Sequence, residues 1–414
     1  MKKVELLAPA GSLEKLKTAF FFGADAVYCG GANFGLRAGA DNFTIEELEE
    51  GIEFAHSRGK KVYLTLNMIP HNDDMEKLPE YIEDLKKLNL DALIISDPGV
   101  FKLVREKMSE MSIHISTQAN NVNWRSSLFW KELGADRIIL ARELSGKEMK
   151  EIAEKVGGEI DLEVFIHGAM CISYSGRCLL SNYFVGRDAN RGDCAHSCRW
   201  KYHLVEEKRP GEYYPVAENE KGTFIMNSRD LCLIKEIPEI IESGIMSLKI
   251  EGRMKSVHYL AGVVNAYRRV IDSYYEDPDN YEYEPELFAE LRKISHRDYT
   301  TGFYYGKPGE DGQRYESSSY LRTYDFMGVV KDYFPEDEEI LVEIRNKIFT
   351  GDELEIITPG EYGLSLKVDY IINSDGKEVE AAPHPKELVR IPSEREIKTG
   401  SLLRREKEQS QDGN

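Results

Sequence analysis

Four cysteines stand close together in this sequence, Cys171, Cys178, Cys194 and Cys198, with the spacing C-x6-C-x15-C-x3-C. The chain has only six cysteines in 414 residues, too few for a disulfide framework, and cysteines clustered in this way point to metal binding or catalysis. Four thiolates can hold a structural zinc ion or an iron–sulfur cluster. Zinc sites favour tight C-x2-C knuckles. The wider spacing here, with bulky residues between the thiols, leans towards a cluster, while zinc and free thiols stay open. Cys232 follows the same stretch and is a reserve ligand, whereas Cys29 reads as a small core residue.

The charge inverts around these cysteines. The whole chain carries −19, from 54 Lys and Arg against 73 Asp and Glu, which favours solubility and opposes a generic nucleic-acid coat. Between Cys171 and Lys201, however, Arg177, Arg187, Arg191, Arg199 and Lys201 face only Asp188 and Asp193. Arg142 lies upstream, and Lys249, Arg253 and Lys255 flank Glu251 downstream. Arginines at a site mouth clamp carboxylates or phosphates bidentately. The interleaved Tyr174, Tyr183, Phe184 and Trp200 suit stacking of an unpaired base; the alternative is a loop whose arginines cap its own carbonyls around an aromatic minicore. Glu163 and His167 are four apart on one predicted strand, so alternation puts both on one face. There they would do acid–base chemistry or orient the metal site. No nucleophile elbow and no His-Glu-x-x-His motif is present, and the lone His114 reads as structural.

These residues must be held by a repeating alternation. Eight strand-like runs are predicted in residues 1 to about 276: Val4–Ala8, Ala26–Gly30, Val62–Asn67, Ala92–Asp97, Ile113–Gln118, Arg137–Leu144, Leu162–His167 and Ser247–Glu251. Helical patterns such as Thr44–Ser57, Glu76–Leu88 and Ser145–Val156 separate them. Thr44 with Glu47 and Ser145 with Glu148 fit capping boxes, and Gly23, Gly59 and Gly134 sit where helices should stop. Continuous apolar strands alternating with helices predict an α/β fold, a (β/α)8 TIM-like barrel, with a doubly wound open sheet as the alternative. Several strands end in polar residues (Asn67, Asp97, Thr117–Asn120, Arg142, Glu143, His167, Lys249 and Glu251), which a barrel would gather at its C-terminal mouth. The stretch from Cys171 to about Gly222 breaks the rhythm, and loops of that length are functional or disordered.

The remaining chain reads differently. Residues 277–325 form an acidic, tyrosine-rich linker with a helical piece. From 326 to 405 short alternating strands and turns predict a small antiparallel β-barrel. The charged end, Arg404–Asn414, reads as frayed, with 406–414 a tail. No stretch of eighteen apolar residues exists, so no membrane span is expected. The opening run is too short for a signal peptide and contains Glu5, so a cytoplasmic protein is expected.

The segment Glu163–Ser181, EVFIHGAMCISYSGRCLLS, resembles the signature of the collagenase-like, U-type peptidase family. Asn190–Cys194, Cys198–Trp200, Met226–Leu231, Ser247–Arg253, Leu6–Gly11 and Gly23–Tyr28 extend the resemblance over essentially the whole chain. Length and the C-terminal barrel most resemble the branch that hydroxylates tRNA uridine at C5; other branches hydroxylate an rRNA cytidine or ubiquinone. The resemblance implies a [4Fe–4S] cluster on Cys171, Cys178, Cys194 and Cys198, and prephenate as co-substrate. Glu163, His167, Lys249, Glu251 and Arg253 are then the catalytic candidates. Arg142 and Arg177, with Lys249, are candidates for holding the dicarboxylate. The expected partner is the tRNA anticodon loop, whose wobble uridine must be extruded to be reached. A true protease, and a cluster-bearing subunit acting with a second family member or a second copy, are the competing expectations. Four thiolate ligands would leave zinc closed to water, which argues against hydrolysis there.

Overall fold

The computed structural model describes residues 3–31, 42–171, 173–200, 204–205, 213–214, 228–307 and 320–407. Eight parallel strands close into a barrel: β1 Glu5–Pro9, β2 Ala26–Gly30, β3 Lys61–Leu66, β4 Ala92–Ile95, β5 Ile113–Ile115, β6 Arg137–Ile139, β7 Asp161–Ala169 and β8 Ser247–Ile250. Each strand pairs with the next, and β8 pairs with both β7 and β1, which closes the ring and excludes the open sheet. The strands are buried on both faces, as β2 illustrates with all five residues buried. Their inner side chains, Leu7, Ala26, Tyr28, Tyr63, Ala92, Ile94, Ile139 and Phe165, form one cluster. Their outer side chains pack under the helices α1 Leu13–Phe21, α2 Ile45–His56, α3 Asn72–Leu85, α4 Pro98–Lys107, α5 Trp124–Glu132 and α6 Gly146–Val156.

Local chemistry sets the helix ends. Both predicted capping boxes are present, Thr44 with Glu47 and Ser145 with Glu148, each satisfying two orphan N–H groups. Helix α3 begins at Asn72, ahead of the predicted Glu76, because the Asp74 carboxylate accepts from the His71 N–H at 2.8 Å and opens the first turn early.

After β7 the chain leaves the barrel for a long excursion containing helices α7 Leu180–Val185 and α8 Ile237–Glu242. Within it the strand Asp230–Cys232 runs antiparallel to the end of β7, pairing Asp230 with Ala169 and Cys232 with His167. This pairing lets β7 extend to nine residues and carry Cys171 past the rim. Lys201, Gly222 and the Met226–Asn227 part of the signature lie outside the described residues. Helix α9, Val257–Glu276, capped by Ser256, and helix α10, Pro285–Arg292, then cover the barrel flank.

The C-terminal part is an eight-stranded antiparallel sheet with its own apolar cluster, including Met327, Val330, Ile340, Ile344 and Ile391. Its strands are β9 Tyr324–Phe334, β10 Glu339–Ile344, β11 Glu353–Thr358, β12 Glu361–Lys367, β13 Ile371–Ile372, β14 Glu378–Val379, β15 Leu388–Pro392 and β16 Leu402–Glu406. The expected fraying from Arg404 is incorrect for the residues described. β16 lies between β9 and β11, and Arg404 is buried against Glu290 at 2.5 Å and Glu355 at 2.6 Å. A run of charges looks solvated in sequence because its buried partners are remote. The sheet docks on the barrel helices through Asn265, which donates to Thr358 O and accepts from Gly360 N, and through His258 stacked on Phe326. No helix among the described residues is long and apolar enough to cross a membrane.

Candidate active site

A buried ladder of charge rises through the barrel. Glu5 accepts from the Tyr63 hydroxyl at 2.6 Å and pairs with Arg137 at 2.6 Å. Arg137 reaches Glu163 at 3.1 Å, and Glu163 pairs with the Lys249 ammonium at 2.8 Å. Ser247 Oγ lies between the two carboxylates, 2.9 Å from Glu5 and 3.1 Å from Glu163, and its one hydrogen can serve either. Burial alone would push the Glu5 carboxyl up, but Arg137 and the hydroxyl donors hold it below its ordinary value. Burial pulls the Lys249 ammonium down, and Glu163 opposes that pull. Two anions and two cations alternate, so the ladder is neutral as a whole, the condition for tolerating buried charge.

Above Lys249 a small cavity of about 110 Å³ is lined by Tyr28, Thr65, Asn67, Thr117, Gln118, Arg142, Phe165, Lys249, Glu251 and Arg253. Lys249 lies over the Tyr28 ring, 4.3 Å from its centroid. Arg253 is buried and donates to Thr65 Oγ1 at 3.0 Å. Arg142 donates to Ala169 O at 2.8 Å and lies over Phe165. Thr117, Gln118, Arg142 and Glu251 also line a larger cavity of about 770 Å³, so the two spaces adjoin.

All four clustered cysteines line that larger cavity, with Lys255, His258, Tyr320, Tyr324 and Phe326 on the side of the C-terminal sheet. None of the four is in a disulfide, and all are partly exposed. Among the described residues no group of three or more His, Cys, Asp or Glu is drawn tightly enough to hold one metal ion; the thiols ring the cavity wall. The loop that carries them is tied down by neighbours that spacing did not reveal. Asn190 brackets Cys178, accepting from its N–H and donating to its C=O, both at 3.1 Å. Glu143 accepts from the N–H and hydroxyl of Ser175, both at 2.6 Å, which holds Ser175 at φ +43°. Both carboxylate oxygens of Asp74 face Arg191 Nη2, at 2.7 and 2.8 Å. Ser181 Oγ accepts from Ala195 N, and Cys194 Sγ accepts from His196 N at 3.4 Å.

The predicted set therefore divides. Lys249, Glu251, Arg253, Arg142 and the four cysteines come together around the adjoining cavities. Glu163 supports Lys249 from below. Arg177 is exposed and donates to Gln118 O at 2.9 Å, at the rim. His167 does not share a face with Glu163, and that expectation is corrected. The pairing of β7 with β8 shifts register after Phe165, so Lys249 stands opposite Phe165 and Ile250 opposite His167. This bulge inverts the alternation, and His167 turns outward among Tyr259, Tyr267 and Tyr299. Burial pulls its pKa down to about 3, which leaves it a neutral core group. Cys232 is buried beside the Tyr267 hydroxyl, away from the other thiols, and burial pushes it up to about 12. Cys29 and His114 are buried, and Asp97 only caps α4. The aromatics form no minicore: Tyr174, Tyr183, Phe184 and Trp200 are all exposed.

With this geometry in hand, residues 11–314 match peptidase family U32 and residues 322–404 match the peptidase family U32 C-terminal domain. The chain belongs to peptidase family U32. Among its U32 relatives, tRNA hydroxylation protein P1 of Bacillus subtilis is 45% identical over 98% of this chain and 96% of its own length. The tRNA hydroxylation protein P of Escherichia coli is 38% identical over 97% of this chain and 96% of its own length. The 23S rRNA 5-hydroxycytidine C2501 synthase of Escherichia coli is 32% identical over 87% of this chain and 53% of its own length. The U32 signature expected from Glu163–Ser181 thus spans the end of β7 and the first turns of the cysteine loop.

Proposed function

We propose that this chain is an RNA-hydroxylating enzyme that converts the wobble uridine of tRNA to 5-hydroxyuridine in the cytoplasm. The names of its near-full-length relatives support RNA hydroxylation, and one observation carries it to this site: four cysteine side chains and a cationic pocket line adjoining cavities at the barrel mouth. The thiols of Cys171, Cys178, Cys194 and Cys198 fit a [4Fe–4S] cluster in donor type and in their shared cavity wall. Such a cluster supplies redox or Lewis-acid chemistry when bound.

The residues of the chain do the rest. Arg253 and Arg142 bind the carboxylates of a small anionic co-substrate, proposed to be prephenate, and Lys249 contributes charge while anchored on Glu163. Glu251 faces both cavities and is placed to accept a proton from a reacting group between them. Phe165 and Tyr28 keep water away from the inner pocket. The outer cavity admits a uracil only when its nucleotide leaves the stack.

The deciding experiment is anaerobic purification with iron, sulfide and zinc analysis, followed by nucleoside analysis of tRNA from a deletion strain. The expected result is iron and sulfide in equal amounts and loss of 5-hydroxyuridine. Cys178→Ala should lose iron and activity together, whereas Arg253→Ala should lose activity and keep its iron. Zinc without iron, or unchanged nucleosides in the deletion strain, would overturn the proposal.

A further inference from the structure

Helix α7 turns apolar side chains into solvent at the rim of the cysteine cavity. Tyr183 is 82% exposed, the adjoining Leu179 75%, Phe184 43% and Trp200 42%. Contiguous exposed apolar surface of this kind marks an interaction site. The Tyr183 and Phe184 rings meet edge to face with centroids 5.3 Å apart. α7 packs against the Ser197–Arg199 turn, which precedes Trp200. Ser181, on the same helix, lines the cavity with Cys194 and Cys198. The exposed rings therefore border the cavity from outside. The backbone on either side of them is tied down, since Ser181 Oγ accepts from Ala195 N and Asn190 Oδ1 accepts from Cys178 N.

We propose that this rim is a stacking platform for the unpaired bases that flank the nucleotide inside the cavity. The proposal rests on the RNA-hydroxylation reading above and adds the surface that selects a single-stranded loop. Three observations favour RNA as the occupant. The exposed groups are chiefly flat rings, which stack on any base. Residues 171–200 carry four arginines against two aspartates in a chain of net charge −19, so a basic stretch coincides with the rings. The platform is also continuous with the cavity that would receive the reacting base. A second copy of the chain needs roughly 800 Å² per partner for a stable interface, more than a helix of six residues and its flanks provides. A duplex hides its base faces and gains nothing from the rings, whereas an unpaired loop stacks on them.

The test uses the full chain, purified anaerobically, and fluorescence anisotropy with a labelled anticodon stem–loop and a fully paired hairpin of equal length. The wild type should prefer the stem–loop. Tyr183→Ala should weaken stem–loop binding by roughly ten-fold, with iron content unchanged because the ring is exposed. Tyr183→Trp should retain binding and Tyr183→Leu should not. Phe129→Ala, which removes an exposed ring from the outside of the barrel, should change nothing. Equal binding by Tyr183→Ala and wild type would overturn the platform, as would a Leu variant as good as Trp. A dimer that Tyr183→Ala dissociates in sedimentation would assign the patch to a second copy instead. If the wild type hydroxylates tRNA while Tyr183→Ala binds normally, the platform alone falls. If the wild type binds no RNA, the functional reading falls with it.

Discussion

Glu163 holds the ladder in the barrel together, because it is the carboxylate shared by Arg137 and Lys249. Removing one partner from a buried ionic network leaves an uncompensated charge, which costs more than the network itself contributes. Glu163→Ala should therefore destabilise the chain by about 3–5 kcal/mol, and Glu163→Ala with Lys249→Met should recover part of that loss. Urea unfolding of the two variants measures it, and a cost within experimental error for the single variant would show that the ladder carries little of the stability. The buried histidines give a second residue-scale expectation. Burial lowers the pKa values of His114, His167, His258 and His296, those of His167 and His258 to about 3. The unfolded chain takes up these protons near pH 6.5, so below that pH it binds more protons than the folded chain. Their contribution to stability is full above about pH 6.5 and is lost as pH falls, down to about pH 3 for His167 and His258, each of which contributes up to about 1.4 kcal/mol per pH unit in that window. The double variant His167→Phe, His258→Phe should flatten the fall in urea midpoints.

At the scale of elements, the end of β7 decides what the site contains. The strand must turn out of the barrel to deliver Cys171, and Gly168 makes this possible. It holds φ +109°, and a Cβ there would lie 2.5 Å from Glu251 O. No other residue adopts that conformation without strain. Beyond the turn, order in the cysteine loop depends on side chains accepting and donating at backbone groups. Asn190→Ala removes both hydrogen bonds to Cys178. Global stability should fall by no more than about 1–2 kcal/mol, while thiol labelling of Cys178 accelerates. Unchanged labelling would mean that the rest of the loop positions Cys178 without Asn190.

For the whole molecule, the C-terminal sheet is bound to the barrel by buried charge as well as by apolar contact. Arg404, from the last strand, satisfies Glu290 of α10 and Glu355 of β11, and Val329, Ile357 and Leu402 pack into the barrel-side core. Arg404→Met should cost about 1–3 kcal/mol, since Lys293 still pairs with both Glu290 and Glu355 once the guanidinium is gone. Because Tyr320, Tyr324 and Phe326 wall the cysteine cavity, the same variant should also weaken substrate binding. Urea unfolding and tRNA affinity measure the two effects, and a variant with normal affinity despite the lost stability would show that the sheet does not shape the cavity.

Much of this was legible in the sequence. The eight barrel strands, the capping boxes, the cysteine cluster and the basic stretch are local patterns, set by alternation, helix-end chemistry and composition within a few residues. Tertiary structure decided what depends on distant partners. Glu163 and His167 diverge because one bulge against β8 inverts the alternation, and no periodicity records a bulge. Arg404 is buried because Glu290 and Glu355, far away in sequence, neutralise it. Asn190, Glu143 and Asp74 position the cysteine loop through hydrogen bonds whose partners only folding brings near. Residue type and spacing thus determined which groups this protein possesses, while register, burial and long-range pairing decided which of them meet, because those depend on distances that exist only once the barrel closes.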